Sequence, residues 1–171
     1  WGIRRIIWIT GHGPNAPVMK QVSLKLRREL GILTAIPLWY RLAITLLPEL
    51  KLGPDHGGFT ETSVAMACRP GNVDLSKAQG GCAITDIGHG FDSTGKFDIG
   101  FEDGGVEFPL LMKERWPLGY WDTSKPATEA SEEHGERIME VVSDYLARFA
   151  TQFQTLPLDM KIDNAFYPHK P

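Results

Sequence analysis

The stretch Arg5-Ile-Ile-Trp-Ile-Thr-Gly-His-Gly-Pro-Asn15 decides the fold prediction. Residues 5–10 form a short apolar run with β-branched side chains, which is typical of a buried strand. A tight loop around His12 follows, and a helical pattern begins at Ala16. Ligands in open α/β sheets bind outside the carboxyl ends of the strands. His12 stands at such a strand end between two glycines, so it is a candidate site residue, although a lone histidine is more often structural.

The pattern after this loop completes a strand–helix–strand unit. Residues 16–30 predict a surface helix that ends at Gly31 as its C′ residue. Residues 32–40 predict the next strand, in which Pro37 restricts the position to an edge or a strand end. This order predicts a right-handed crossover to a parallel neighbour, whereas residues 41–51 give no clear assignment. The stripe of the helix that we expect to be buried consists of Val18, Val22, Leu24, Leu26 and Leu30.

A second candidate loop is Asp55-His-Gly-Gly-Phe-Thr-Glu-Thr-Ser63. The Gly57-Gly58 step allows backbone conformations that other residues avoid, and the following residues predict a helix with Glu61 in its first turn. Such a loop brings a proton-transfer group, His56, and a carboxylate toward one point. The alternative is a surface turn followed by a helix cap, because short motifs often match by chance.

Four blocks of the chain together resemble the creatininase (creatinine amidohydrolase) family. Residues 11–15 (GHGPN) resemble its GHGGN or GHxEN loop, and residues 56–63 (HGGFTETS) resemble its HAGxxETS loop. Residues 69–78 resemble its RPxxVDLSKA segment, and residues 119–122 and 127–135 resemble its G-x-x-GDP…AT-x-E-x-G run. The resemblance covers roughly residues 1–150 and implies a layered α/β/α fold with a mostly parallel central sheet, so we expect a domain over residues 1–155. Residues 156–171 show no periodicity and are expected to form a tail or an oligomer arm.

The resemblance also implies a chemistry, namely metal-dependent hydrolysis of a cyclic amide or a related C–N bond. It makes His12 a metal ligand, Glu61 a catalytic residue and the carboxylate for a second metal, and His56 the general acid or base. Imidazole and carboxylate groups suit Zn²⁺, Mn²⁺ or Fe²⁺, and we expect two ions in the complete protein. The residues expected to contact a small-molecule substrate are Gly13, Asn15, Gly57 and Gly58.

The chain departs from the family pattern in ways that narrow the prediction. Pro14 stands where the GHxEN form has a glutamate ligand, and Leu52 and Gly53 stand where creatininase has a tryptophan, which argues against creatinine as the substrate. The chain opens at Trp1 without the family's E-x-H-G-x-H-L-P…D segment, so we expect it to be the C-terminal two-thirds of such a protein. The alternative function is a truncated or non-catalytic subunit without a complete metal site. If the site is shared, His12 and Glu61 approach each other at the carboxyl edge of the sheet.

The remaining segments predict structure rather than chemistry. The glycine-rich residues 80–105 predict an irregular or hairpin excursion, and His89 within it receives no role from the resemblance. Residues 129–153 predict a packing helix in which His134 faces solvent. Cys68 is expected to be a small buried side chain. The apolar stripe of the packing helix consists of Ile138, Val141, Val142, Tyr145, Leu146 and Phe149.

Composition excludes several classes of function. A net charge of −3 and a pI of about 6.0 argue against nucleic-acid binding. No apolar run reaches the roughly 18 residues of a membrane helix, and no signal-peptide pattern is present. Two cysteines are too few for a disulfide scaffold, so we expect a cytoplasmic protein.

A nucleotide site at residues 11–13 is disfavoured, because the loop lacks G-x-G-x-x-G spacing. The resemblance implies a homo-oligomer, for which tail residues Phe166, Tyr167 and Pro168 could pack on a neighbour.

Overall fold

The computed structural model describes residues 2–53, 55–78, 86–93, 98–101, 104–107, 111, 121–122 and 125–159. The chain divides into two compact units. The first consists of Trp1–Trp39 and Asp144–Pro171, and the second of Tyr40–Ser143. Within the described residues, no helix has the length and apolar character needed to cross a membrane. The predicted oligomer contacts at residues 166–168 lie outside the described residues.

The first unit contains the strand–helix–strand arrangement that the sequence predicts. Strand β1 (Arg5–Ile7) is followed by helix α1 (Asn15–Leu30) and strand β2 (Leu33–Ala35). The two strands pair in parallel, with Arg5 opposite Leu33 and Ile7 opposite Ala35. A further parallel bridge joins Thr10 to Leu38. Among the described residues, these are the parallel pairings of the chain.

The helix α1 forms where it is predicted, but the predicted buried stripe is wrong. Val18 is 66% exposed, and Val22, Leu24 and Leu30 are exposed as well. The least exposed side chains of the helix follow another stripe, at residues 16, 19, 23 and 26, with Ser23 as its buried member. Apolar residues occur on more than one side of this helix, so its periodicity predicts a helix without selecting the face.

Glycine ends α1 as predicted. Gly31 has φ +66°, and its N–H donates to the carbonyl of Arg27 while the N–H of Ile32 donates to the carbonyl of Leu26. Two nested bonds of this kind close a helix whose C′ residue is left-handed, a conformation that glycine adopts without a Cβ penalty.

The strand predicted over residues 32–40 is wrong in its second half. Strand β2 ends at Ala35, and helix α2 (Trp39–Leu46) begins before the predicted strand would end. Pro37 explains the early end, because proline has no N–H to donate to a strand neighbour. A short 3₁₀ helix (Pro48–Leu50) follows, so the unassigned residues 41–51 are largely helical.

The second unit carries the second candidate loop and a small antiparallel sheet. Strand β3 (Asp55–His56) leads into helix α3 (Phe59–Cys68). Strands β4 (Asp86–Gly88), β5 (Phe91–Ser93), β6 (Asp98–Phe101) and β7 (Gly104–Glu107) pair in sequence order, each antiparallel to the next. The predicted hairpin excursion is therefore correct for these strands. His89 and Gly90 form the turn between β4 and β5 with φ values of +56° and +81°, as in the type I′ turns that suit hairpins.

The unit continues with strand β8 (Trp121–Asp122), which pairs antiparallel with β3. A 3₁₀ turn (Ala127–Glu129) then precedes helix α4 (Glu132–Phe153), so the predicted long helix begins three residues later than expected. The division between the units falls within α4. Its predicted stripe is confirmed at Ile138 and Val142, which are buried. Among the residues of the second unit whose burial the structure describes, the other buried apolar side chains are Ala43, Leu47, Leu52, Phe59, Ala127 and Ala130.

Candidate active site

Thr10 organises the first histidine loop. Its hydroxyl Oγ1 accepts from the His12 N–H at 3.2 Å and from Nδ2 of Asn15 at 3.1 Å, and it donates to the His12 carbonyl at 3.1 Å. The side chain is nearly buried at the end of the parallel pair, whereas His12 itself is exposed. Thr10 therefore fixes the backbone on both sides of the His12 Cα. The sequence interpretation missed this role, although a threonine directly before a Gly-His step at a strand end is the signal for it.

The second histidine loop turns at a glycine. His56 lies in β3 opposite Trp121, and Gly57 follows with φ +61°. Gly58 is extended and serves as the N-cap residue of α3, and no side chain bonds back from this cap position. Only glycine adopts the conformation of Gly57 without cost, so the local sequence explains why the chain can pass from strand to helix in two residues.

Three side chains bond to the backbone of this loop. Oδ2 of Asp55 accepts from the Thr60 N–H at 2.6 Å, and Oε2 of Glu61 accepts from the Gly57 N–H at 2.7 Å. The Thr62 hydroxyl donates to the Gly57 carbonyl at 3.3 Å. The first turn of a helix leaves N–H groups without helical partners, and Asp55 satisfies one of them from outside the helix. The carboxylates also lie at the positive end of the helix dipole, where negative charge is stabilised.

His56 and Glu61 lie side by side as the sequence predicts. Nδ1 of His56 is 3.8 Å from Oε2 of Glu61, and the two side chains are 30% and 33% exposed. This separation is too long for a hydrogen bond but lies within ion-pair range when the imidazole is protonated. An imidazole that solvent reaches, beside a fixed carboxylate, is equipped to exchange a proton.

Ser63 of the same motif joins α3 to the start of α4. Its buried Oγ accepts from the Ser131 N–H at 3.3 Å. Ser131 in turn caps α4, because its Oγ accepts from the His134 N–H at 3.2 Å and lies 2.6 Å from Nδ1 of the His134 ring. The expectation that His134 faces solvent is wrong. Its ring is partly buried against this cap, which a sequence pattern based on helix polarity does not register.

The beginning of α3 is anchored by an aromatic side chain. Phe59 is fully buried, and its ring meets the edge of the His134 ring at a centroid distance of 5.0 Å. Nζ of Lys125 lies 4.8 Å from the Phe59 ring centroid, a cation–π distance. An open cavity of about 530 Å³ also borders His134, and its other lining residues are Leu50, Glu133, Glu136, Arg137 and Glu140. The candidate site residues His56 and Glu61 do not line it.

Helices α3 and α4 approach each other closely at Gly135. A Cβ atom at this position would lie 2.0 Å from the Ser63 carbonyl oxygen and 2.8 Å from Cβ of Ala67. The absent side chain thus allows backbone-to-backbone contact between the two helices. Gly135 is the glycine of the AT-x-E-x-G block, so this block of the resemblance has a packing explanation.

The VDLSKA block forms a capped turn. Asp74 precedes the 3₁₀ helix Leu75–Lys77, and its Oδ1 accepts from the Ser76 hydroxyl at 2.6 Å and the Ser76 N–H at 3.1 Å. Lys77 Nζ lies 3.0 Å from Oδ2. The bond from the Ser76 side chain, followed by that from Lys77, lowers the pKa of Asp74. A lowered folded-state pKa means that this stabilisation is present at neutral pH and is lost as the pH falls through that pKa.

Cys68 differs from its prediction. It is exposed at the last position of α3 rather than buried, and its Sγ lies 3.4 Å from Sδ of Met139. The apolar residues before it predict a buried helix, but the end of that helix reaches the surface.

The described residues include side chains that can bind a metal, but these side chains do not form a complete set of ligands. His12 lies in the first unit, and His56 and Glu61 lie in the second, so the shared site of His12 and Glu61 stays a prediction. Across the described ranges, no group of three or more His, Cys, Asp or Glu side chains is arranged to hold a metal ion. Zinc sites usually take three or four protein ligands. The donor chemistry therefore suits a divalent metal, but the described donors do not complete its coordination.

We expect Asp55→Ala to destabilise the protein by about 1 kcal/mol, because the Thr60 N–H loses its acceptor at the helix start. Asp55→Asn retains a side-chain oxygen and should cost less. Urea unfolding followed by circular dichroism measures both values. Equal stability of the alanine variant and the unchanged protein would show that the bond from Asp55 to Thr60 does not stabilise this helix start.

The comparison with protein families now assigns the chain. The model of the family Creatininase, described as creatinine amidohydrolase, matches residues 1–150. The chain belongs to the creatininase family. No curated protein sequence matches it.

Solved structures agree on the fold. A candidate creatinine amidohydrolase from Bacteroides fragilis NCTC 9343 superimposes with a TM-score of 0.67 at 21% identity, over 93% of this chain and 57% of that chain. A glutamine-for-glutamate mutant creatininase of the Zn-Zn type gives 0.60 at 28% identity, over 91% and 58%. A creatininase described with Mn gives 0.59 at 26% identity, over 91% and 58%. The predicted α/β creatininase-like fold is confirmed, and the chain spans less than two thirds of the length of these relatives.

Proposed function

We propose that this protein is a metal-dependent hydrolase of the creatininase type that opens a cyclic amide or a related C–N bond. The observation that carries the proposal is the corner between β3 and α3, where His56 and Glu61 lie 3.8 Å apart on a turn held by its own helix. Membership of a family of amidohydrolases supports the reaction class, and the substrate is a small molecule that need not be creatinine.

His56 is the proton-transfer residue in this proposal. Hydrolysis of an amide requires a proton to reach the departing nitrogen, and a positioned imidazole supplies one near neutral pH. The partly exposed His56 ring can contact both a substrate and solvent. Glu61 holds the loop through the Gly57 N–H and places a carboxylate oxygen 3.8 Å from Nδ1 of His56.

Substrate contacts are proposed for the backbone around both histidines. Gly13 and Asn15 flank His12, and Gly57 and Gly58 follow His56. The Gly57 N–H already donates to Glu61, so of these two amides Gly58 is the better candidate donor to a developing oxyanion. The Asn15 amide nitrogen braces the loop through Thr10, and its carbonyl oxygen is the atom we assign to a substrate.

His12 and Glu61 are the proposed metal ligands, completed by donors beyond those that the structure describes. A bound divalent ion would polarise the scissile carbonyl as a Lewis acid. The proposed ion is Zn²⁺, Mn²⁺ or Fe²⁺, and a Zn-Zn form and a Mn form among the structural relatives support this choice. We further propose a cytoplasmic homo-oligomer, as the sequence suggests.

The second candidate function is a subunit that keeps the fold without a complete metal site. Two observations favour this candidate. Pro14, which cannot coordinate, stands at the position of the GHxEN glutamate, and Oε2 of Glu61 is engaged by its own loop. Such a subunit would bind metal weakly and turn over no cyclic amide.

Turnover of a cyclic amide by the complete protein separates the two candidates, and His12→Ala tests the proposed metal ligand. We expect the unchanged chain to bind Zn²⁺ or Mn²⁺ weakly, because it offers few ligands, and we expect His12→Ala to lower this affinity at least tenfold through the loss of one coordinating bond. Isothermal titration with each metal alone gives the affinities, and hydrolysis of a panel of cyclic amides gives the activity.

His89→Asn is the matched control, because His89 is an exposed turn histidine with positive φ and asparagine tolerates that conformation. Equal loss of affinity in both variants would mean that metal binds to histidines non-specifically. An unchanged affinity in His12→Ala would remove His12 from the metal site, and absence of turnover by the complete protein would favour the second candidate.

A further inference from the structure

We propose that Glu61 and Thr62 are positioning residues for His56, and that they act together on the two peptide groups of Gly57. We name this arrangement the Gly57 clamp. It goes beyond a metal-ligand role for Glu61 and gives Thr62 a role in the site. The proposal rests on the proposed function only in taking His56 as the proton-transfer residue.

The two bonds of the clamp hold the peptide groups on both sides of Gly57. The Gly57 N–H belongs to the peptide group that directly follows the His56 Cα, so the bond from this N–H to Oε2 of Glu61 fixes ψ of His56. The Gly57 carbonyl belongs to the next peptide group, and the bond from the Thr62 hydroxyl fixes its direction. Because a residue has only two soft backbone dihedrals, holding the peptides on both sides of Gly57 leaves little freedom between strand and helix.

Without the clamp, the Gly57-Gly58 step would leave the position of His56 poorly fixed. Two consecutive glycines allow many backbone conformations, and a catalytic side chain must be held within a fraction of an ångström by rigid neighbours. The rigid neighbour here is α3, whose Phe59 and Ser63 are fully buried. Glu61 and Thr62 lie between these two anchors, so they transmit the fixed position of the helix to the loop.

The two bonds of the clamp differ in strength. The bond from Gly57 to Glu61 is short, at 2.7 Å, and its acceptor is charged. Such bonds are about twice as strong as neutral ones. The bond from Thr62 is 3.3 Å long and neutral. The Glu61 bond occupies Oε2 and does not use Oε1, so the clamp is compatible with a second partner for this carboxylate.

Nuclear magnetic resonance of the ¹⁵N-labelled chain tests the clamp without a substrate or a metal. Glu61→Met removes the acceptor at similar length, and Glu61→Gln keeps an oxygen without the charge. Thr62→Val removes the hydroxyl at constant shape, and Thr62→Ser restores it. Thr45→Val is the matched control, because it removes a hydroxyl bond of 2.9 Å to the Arg41 carbonyl elsewhere in the same unit.

We expect Glu61→Met to accelerate hydrogen exchange of the Gly57 amide by about tenfold or more and to move the ring resonances of His56. Glu61→Gln should do both to a smaller extent. Thr62→Val should move the His56 ring and the Gly58 amide, which shares a peptide group with the Gly57 carbonyl, and Thr62→Ser should restore both. The Thr45→Val control should leave these signals in place, and thermal melting of each variant reports any global loss of stability.

Unchanged His56 and Gly57 signals in folded Glu61→Met and Thr62→Val would overturn the clamp. If Glu61→Met does not fold, the comparison of Thr62→Val with Thr62→Ser decides alone. The proposed function fails separately, when removal of the His56 imidazole leaves hydrolysis unchanged although the resonance shifts occur as expected.

Discussion

Gly135→Ala should destabilise the protein by about 3 kcal/mol or more, the upper end for overpacked sites. The added Cβ would lie 2.0 Å from the Ser63 carbonyl oxygen and 2.5 Å from its carbon, and both are backbone atoms. They cannot rotate away, so α3 and α4 would have to separate, and the bond from the Ser131 N–H to the Ser63 hydroxyl would break. Urea unfolding monitored by circular dichroism measures the change.

The expected destabilisation is opposite in sign to the usual effect of this substitution. Glycine to alanine inside a helix ordinarily stabilises by up to about 1 kcal/mol, because alanine has the higher helix propensity. Gly11→Ala is a control in open space, since nothing lies within 4 Å of a Cβ there and its φ is not positive. A Gly135→Ala protein as stable as the unchanged one would show that the two helices are not in backbone contact at this point.

In the complete protein, His56→Ala should lower the turnover of a cyclic amide by roughly 10²–10⁴-fold, the usual contribution of a positioned acid or base; this chain alone is expected to be inactive or nearly so. The expected loss follows from removal of the imidazole that we propose delivers a proton to the departing nitrogen. Metal content should stay the same, because His56 is not a proposed ligand. Steady-state kinetics together with metal analysis of the same preparation check both statements.

A comparison with His12→Ala distinguishes acid–base catalysis from metal binding. His12→Ala should lose metal and activity together, whereas His56→Ala should lose activity alone. His134→Gln is a suitable third variant, since His134 belongs to the cap of α4 and should affect stability rather than turnover. Full activity in His56→Ala would assign proton transfer to another residue.

Local signals in the sequence predict the elements near both histidines correctly. The β-branched run before Thr10, the left-handed Gly31 and the Gly-Gly step after His56 act within a few residues, so they can be interpreted without knowing the fold. The position of Glu61 in the first turn of α3 follows from the local sequence in the same way. The order of the motifs predicted the family-level fold, and the similarity to solved creatininase structures confirms it.

Features that depend on distant residues could not be predicted. The face of α1 that is buried, the surface position of Cys68 and the cap around His134 depend on contacts between segments far apart in the chain. The pairing of Ser63 with Ser131 spans 68 residues, and no local pattern announces it. The identity of the remaining metal donors is likewise a property of three-dimensional assembly.

The discontinuous composition of the first unit has a consequence for biosynthesis. Its strand–helix–strand segment leaves the ribosome before the second unit, and the residues that complete the first unit follow only after all of 40–143. The bond from the Arg5 guanidinium to the Leu156 carbonyl joins residues 151 positions apart, so it cannot form until Leu156 has been synthesised. Chain segments that wait for distant partners fold slowly and expose apolar surface meanwhile. During translation, the contiguous second unit can therefore close while β1, α1 and β2 still lack the residues after 143 that complete their own unit.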